Sequence, residues 1–142
     1  MFVENGEVFP NKPPASQMNC YLHINNLSSK ADFNKFVDMI RSYQDELPIN
    51  IIKSCENERH CTLLLSNEQY WKENHEKIIE VLSSISAALD YATSHDAFFE
   101  ITIDIDMKKY CDRNLTSFYF TKTIIQSLAK FNIKLSVTIL SD

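Results

Sequence analysis

The segment from Phe99 to Asp106 alternates strictly between apolar and polar residues, and this pattern constrains the fold more than any other. Its odd positions are apolar, whereas its even positions are polar and include Glu100, Asp104 and Asp106. Because successive side chains of a β-strand point to opposite faces, the pattern predicts a strand with one buried face and one acidic face. Like charges on one strand repel each other, so a neighbouring element or a binding partner has to supply a cation.

The periodicity of apolar residues along the rest of the chain predicts the element order β-α-β-β-α-β-α-β. The predicted strands are 18–24, 49–54, 60–65, 99–106 and 133–140, and the best helical stretches are 30–45, 76–92 and 120–131. The first six elements match a ferredoxin-like arrangement, to which one helix and one strand are appended. Since several strands have one polar face, we expect an α+β fold with a mostly antiparallel sheet and helices on one face.

Prolines and polar residues indicate where this domain and its helices begin and end. Residues 1–16 contain three prolines and predict an extended lead-in, followed by a single domain over 17–142. Polar residues typical of helix ends are Ser29 with Asp32 for the first helix, Asn67 for the second, Thr116 or Ser117 for the third, and Asn132 after it.

The composition excludes several classes of function. Gly6 is the only glycine, so glycine-rich phosphate loops and dinucleotide-binding turns are absent from the body of the chain. A net charge of −5 argues against nucleic-acid or anionic-membrane binding and is compatible with a basic protein partner. The apolar runs are too short to span a bilayer, and the first residues lack the pattern of a signal peptide. We therefore expect a cytoplasmic protein.

Cysteines and histidines give no catalytic or metal-binding signature. Cys55 and Cys61 are the nearest pair of the four cysteines, and their spacing does not suit a zinc site, so free thiols are expected. His75 and Glu76 are not followed by a second histidine at the zinc-protease spacing. We expect no cofactor and a protein that is not an enzyme.

Three carboxylates near the acidic strand nevertheless keep a metal hypothesis open. Asp104, Asp106 and Asp112 could together hold a hard cation such as Mg²⁺, although a solvated strand face explains them as well. An RNA-binding sheet would stack bases on aromatic side chains such as Tyr21, but the acids on the same face would repel the phosphates.

An acidic protein-binding surface is the interpretation that accounts for the residues of the polar face. Its candidate partner contacts are Glu100, Asp104, Asp106, Tyr21, His23 and Asp112. Such a patch, with an aromatic anchor, would complement a basic protein and speed its association. Acids on exposed strands also keep sheets soluble and discourage edge pairing, and the sequence leaves both explanations open.

The chain also resembles an uncharacterised bacterial domain family found among toxin-immunity genes. The resemblance covers FFEITIDIDMKKYCDRNLTSFYFTKTIIQSLAKFNIKLSVTIL and the layout of CTLLLSNEQYWKENHEKIIEVLSSI. It implies an immunity protein of the contact-dependent growth-inhibition type. Such a protein binds the C-terminal domain of a cognate toxin, commonly a nuclease, and occludes its basic active-site surface without catalysis.

A small-molecule-binding regulatory module of ferredoxin-like type is the alternative function, dimeric through its sheet or an edge strand. The two hypotheses differ in what stabilises the folded protein, since a small ligand that binds only the folded state raises the melting temperature. The toxin's activity, the oligomeric state and the strand order stay open at the level of sequence.

Overall fold

The computed structural model of the chain describes residues 2–4, 7–9, 18–106 and 119–140. Two short strands, β1 (Phe2–Glu4) and β2 (Glu7–Phe9), pair antiparallel in a sheet of their own. They lie in the segment 1–16, for which the sequence predicts only an extended lead-in. The other described elements are β3 (Met18–Asn25), α1 (Lys30–Tyr43), β4 (Asn50–Cys55), β5 (His60–Ser66), α2 (Trp71–Ser84), α3 (Ser86–Ser94), β6 (Phe98–Asp106), α4 (Lys122–Lys130) and β7 (Lys134–Leu140).

Strands β3 to β7 form one five-stranded sheet in the order β4-β5-β3-β6-β7. The pairs β4–β5, β5–β3 and β3–β6 are antiparallel, whereas β7 pairs parallel to β6. The parallel pair follows from the helix α4 between these two strands, because a crossover helix returns the chain to the end of the sheet where it started. The mixed architecture and the mostly antiparallel sheet confirm the predicted α+β class.

One face of this sheet is buried against the helices. Alternate residues of β3, from Met18 to Ile24, are 0% exposed, while the residues between them are half-buried. The buried strand residues form one core with apolar residues of the helices, including Phe36 on α1, Ile78 on α2 and Ile124 on α4. The period-2 pattern of the strands and the longer period of the helices thus place their apolar residues in one layer.

Two of the predicted helix ends are confirmed. The Ser29 hydroxyl accepts a hydrogen bond from the backbone N–H of Asp32 at 3.0 Å and caps α1. The Asp32 carboxylate in turn accepts hydrogen bonds from the hydroxyls of Ser28 and Ser29, which lower its pKa. After α4, Asn132 adopts the left-handed conformation with φ of 52°, as the sequence predicts.

Other predicted helix features are wrong. Asn67 does not cap the second helix, because α2 begins at Trp71 after Tyr70, which makes no side-chain capping bond. The single helix predicted over 76–92 is two helices, since the backbone leaves helical geometry at the buried Ile85. Helix α4 is capped by Thr121, whose hydroxyl accepts from the backbone N–H of Ile124 at 3.4 Å.

The predicted caps of that helix, Thr116 and Ser117, lie outside the described residues. The sequence predicts them as caps because a hydroxyl residue is common at a helix start. Three residues of that kind, Thr116, Ser117 and Thr121, follow one another at short spacing here, and the sequence pattern does not distinguish Thr121 from the other two.

Candidate functional site

The side of the sheet opposite the helices carries the polar side chains of the central strands, and we call it the open face. Strand pairing sets Tyr21 opposite Thr102, and His23 opposite Glu100. Asp104 lies one pair further along β6, opposite Asn19. The structure therefore brings together Tyr21, His23, Glu100 and Asp104, four of the six residues that the sequence predicts as partner contacts. Asp106 ends β6, and Asp112 lies outside the described residues.

Glu100 receives its cation from the neighbouring strand. The Lys134 ammonium on β7 lies 3.4 Å from its carboxylate, and the Ser136 hydroxyl donates to the same oxygen at 3.2 Å. Because Lys134 is largely exposed, this ion pair contributes little to the free energy of folding. At this position of the acidic strand, the cation comes from a neighbouring strand and not from a binding partner. Less of the Glu100 charge is therefore free to interact with a partner.

Asp104 is a second acid on this face. It is half-buried, and in the described part of the chain its carboxylate makes no ion pair. Its charge adds to the effect of burial in raising the pKa of the Cys20 thiol to about 12. Burial and the same charge also raise the pKa of the Tyr21 phenol. The Tyr21 phenol beside Asp104 is therefore protonated at neutral pH.

Two histidines form a hydrogen-bonded network across three strands of the open face. His23 bonds the hydroxyl of Thr62 on β5 through Nδ1 at 3.0 Å and that of Thr102 on β6 through Nε2 at 2.9 Å. His60 bonds Thr62 through Nε2 at 2.8 Å and the side-chain oxygen of Asn25 through Nδ1 at 2.6 Å. The two imidazole rings are nearly parallel, with centroids 6.0 Å apart.

This network fixes the open face and occupies both nitrogens of each ring. Burial lowers the pKa of His60, and electrostatic interactions with Lys53 and His23 lower it further, against the smaller opposing effect of Glu58. His60 is therefore neutral at pH 7, when one ring nitrogen donates and the other accepts. Satisfied networks of this kind rigidify a surface, so the strands that carry Tyr21 and Asp104 are joined into a fixed platform.

A shallow depression of about 390 Å³ lies over this platform. Its lining residues are Tyr21, His23, Ile52, Lys53, Thr62, Thr102 and Asp104. A second depression, of about 320 Å³, shares Lys53 with it and is lined by Asn25, Asn26, Glu58, His60 and Phe98 as well. The two together extend across β6, β3, β5 and the edge strand β4.

The remaining chemical groups considered from the sequence lie elsewhere. Cys20 and Cys61 are buried, and burial raises the pKa of each thiol to about 12, so neither is an accessible thiolate. Within the described ranges, no three His, Cys, Asp or Glu side chains lie close enough together to hold a metal ion.

Sequence analysis missed His60, Thr62 and Thr102 as members of the site. Each lies on the polar phase of a predicted strand, and this position is the signal by which the sequence could have indicated that it belongs to the site. Their proximity depends on which strands are neighbours, and that information is absent from the pattern of a single strand.

The chain matches no family model, no curated protein and no solved structure. A function for this protein therefore has to be argued from the geometry of the site. In the described part of the chain, no helix has both the length and the apolar character needed to cross a membrane.

Proposed function

We propose that the protein is an immunity protein that binds and neutralises a cognate toxin domain through the open face. The observation that carries this proposal is the Asp104 carboxylate, which makes no ion pair within the described ranges and lines the depression together with Tyr21, beside the histidine network. An aromatic anchor next to a free charge is the composition typical of residues that dominate protein interfaces.

Charge specifies the kind of partner. The chain carries a net charge of −5, and among the described residues Glu100 of the open face has a cation beside it while Asp104 has none. A basic surface, such as the active-site surface of a nuclease, would supply that cation and would be steered towards the acidic protein. Covering such a surface inhibits a toxin by occlusion, which requires no catalytic group in the immunity protein and takes place in the cytoplasm.

We also propose that the elements from β3 to β6, with α2 and α3 together in the place of one helix, form a ferredoxin-like unit to which α4 and β7 are appended. The order β4-β5-β3-β6 and the antiparallel pairing of all three neighbouring pairs support this topology. The unit leaves one sheet face without helices, and this is the face that the proposed interaction uses.

The proposal is tested by the affinity for the toxin domain encoded beside this protein. We expect Asp104→Lys to weaken binding at least about tenfold, because it places a cation against a basic surface. We expect Tyr21→Ala to weaken binding by a similar factor through loss of the anchor. Asp90→Lys is the matched control, since Asp90 is an exposed acid on α3, away from the open face. Calorimetry at two salt concentrations measures all four proteins.

Two results would contradict the proposal. If the parent protein has no affinity for the neighbouring toxin domain, the immunity function is lost. If Asp90→Lys weakens binding as much as Asp104→Lys, only net charge matters and the open face is not the contact surface.

A small-molecule regulatory module is the second candidate, and the depression favours it. Its volume of about 390 Å³ lies within the range of ligand sites, roughly 300–1,000 Å³. Lys53 and Asp104 line it with opposite charges, which suits a zwitterion such as an amino acid. A rise in melting temperature with free amino acids, lost in Asp104→Lys, would favour this candidate over the immunity function.

A further inference from the structure

Strand β7 ends the five-stranded sheet and is unusually regular for an edge strand. It pairs with β6 in seven consecutive parallel pairs without a register shift, from Lys134 opposite Glu100 to Leu140 opposite Asp106. Among the described strands, none pairs with its other side. An outer edge without a register shift presents a row of backbone donors and acceptors to any strand that approaches it.

The same strand exposes apolar side chains on the face that should be buried. Leu135, Val137 and Ile139 pair with residues of β6 that point into the core. Leu135 is half-buried there, but Val137 is 42% exposed and Ile139 is 58% exposed. Their burial is incomplete because, among the described strands, none lies beyond β7 to cover them.

The opposite edge of the sheet is protected in the ways that natural proteins use. Strand β4 has a register shift between Ile51 and Lys53 in its pairing with β5, and it carries the exposed Lys53. Bulges and lysines of this kind prevent pairing with another chain. Strand β7 has neither a bulge nor a proline, and Lys134 at its start is its only charged residue.

We propose that β7 pairs antiparallel with β7 of a second copy of this chain, about a two-fold axis through Val137. In this register Val137 lies opposite its own copy, and Leu135 lies opposite Ile139. Ser136 lies opposite Thr138, so polar residues meet polar residues on the open face. Lys134 lies opposite Leu140 at the two ends, where the two ammonium groups are farthest apart.

The residue pattern of β7 is self-complementary, and for this reason we expect its partner strand to be β7 of a second copy. An isologous contact requires one strand to match itself when reversed, and the segment Leu135–Ile139 does so with apolar residues on one face and hydroxyls on the other. The result is one continuous sheet with both open faces on the same side. The inference uses neither Asp104 and Tyr21 nor the histidine network, and it does not depend on the proposed function.

Sedimentation velocity over a roughly hundred-fold range of protein concentration tests the dimer. A single strand pair buries less than the about 1,600 Å² of a standard interface, so we expect a concentration-dependent equilibrium of monomer and dimer. Ile139→Lys should abolish the dimer by burying a charge in the contact. Ile52→Lys is the matched control, because Ile52 is 52% exposed on the opposite edge strand, and it should leave the dimer unchanged.

A cross-linking experiment tests the register and does not depend on a disruptive variant. In a background with Cys55→Ser and Cys111→Ser, Val137→Cys should form a disulfide between two chains under mild oxidation, since the two residues 137 face each other. Ile139→Cys should not, because it faces Leu135 of the other copy. A monomer at every concentration, or cross-linking through residue 139 instead of 137, would overturn the proposal.

Discussion

At the scale of single residues, Asn74 shows how one buried amide organises a turn. It is 0% exposed, and its side-chain oxygen accepts from the Ser66 hydroxyl at 2.5 Å and from the Glu68 N–H at 2.9 Å. Its NH₂ group donates to the carbonyls of Glu68 at 2.9 Å and Tyr70 at 3.1 Å. All of the amide's hydrogen-bonding capacity is used, so the end of β5 and the chain before α2 are held by a residue inside the helix.

We therefore expect Asn74→Ala to lower the free energy of unfolding by about 2–3 kcal/mol, because it leaves buried polar groups without partners. Urea denaturation followed by circular dichroism measures the change. Asn67→Ala is the control, since Asn67 is exposed and caps no helix. It should change the free energy of unfolding by less than about 0.5 kcal/mol. Equal losses in the two variants would mean that the network around Asn74 does not stabilise the turn.

At the scale of elements, a cluster of aromatic side chains joins the start of α2 to the start of α4. The Trp71 indole N–H donates to the carbonyl of Tyr119 at 2.6 Å. One turn further along α2, the Nε2 atom of His75 accepts from the backbone N–H of Thr121 at 3.3 Å and lies 3.0 Å from its hydroxyl. The His75 ring contacts Trp71 edge-on at 5.5 Å between centroids, and Tyr119 at 5.4 Å.

Burial of His75 lowers its pKa, and the nearby Glu76 opposes this effect only in part. In the folded protein the neutral ring accepts from Thr121, whereas the unfolded chain takes up a proton near the ordinary pKa of 6.5. The unfolded state therefore binds more protons below that value, and stability falls as the pH is lowered through it. His60 acts in the same direction, because its pKa is lowered as well.

We expect the melting temperature to fall between about pH 7.5 and about pH 5.5, and His75→Phe to make this fall smaller. Phenylalanine keeps the aromatic contacts but cannot bind a proton, so the slope with pH reports the titration even if the variant is less stable overall. Differential scanning calorimetry at several pH values measures the slope. A slope identical to that of the parent protein would show that His75 is not its source.

At the scale of the whole molecule, the strand that comes first among the five lies at the centre of the sheet. Strand β3 is hydrogen-bonded on both sides, and its core-facing residues are 0% exposed. We expect its amides to exchange with solvent most slowly and those of the edge strands β4 and β7 faster, because a central strand opens only when its neighbours do. Native-state hydrogen exchange by NMR measures this order.

Slow exchange in β4 at low protein concentration would contradict this expectation. The same experiment at high concentration bears on the proposed dimer, since pairing of two copies should slow exchange in β7 and leave β4 unchanged.

Part of the candidate site could be predicted from local pattern. The alternation in Phe99–Asp106 and in residues 18–24 is enough to place Tyr21, His23, Glu100 and Asp104 on polar faces. It does not specify that β3 and β6 are neighbours, that Lys134 pairs with Glu100, or that Thr62 and Thr102 bond the two sides of His23. Those partners are separated by 34 residues or more along the chain.

The sequence by itself determined the α+β class, the buried phase of each central strand and the Ser29 cap, because each depends on residues a few positions apart. Only the tertiary structure decided the strand order, the break at Ile85 and the exposure of Val137 and Ile139. A residue's apolar character fixes which face it would bury, but whether that face is covered depends on which elements pack there. That outcome is set by contacts between distant segments. The alternation of β7 therefore predicts that Val137 and Ile139 are buried, whereas at the edge of the sheet both are exposed.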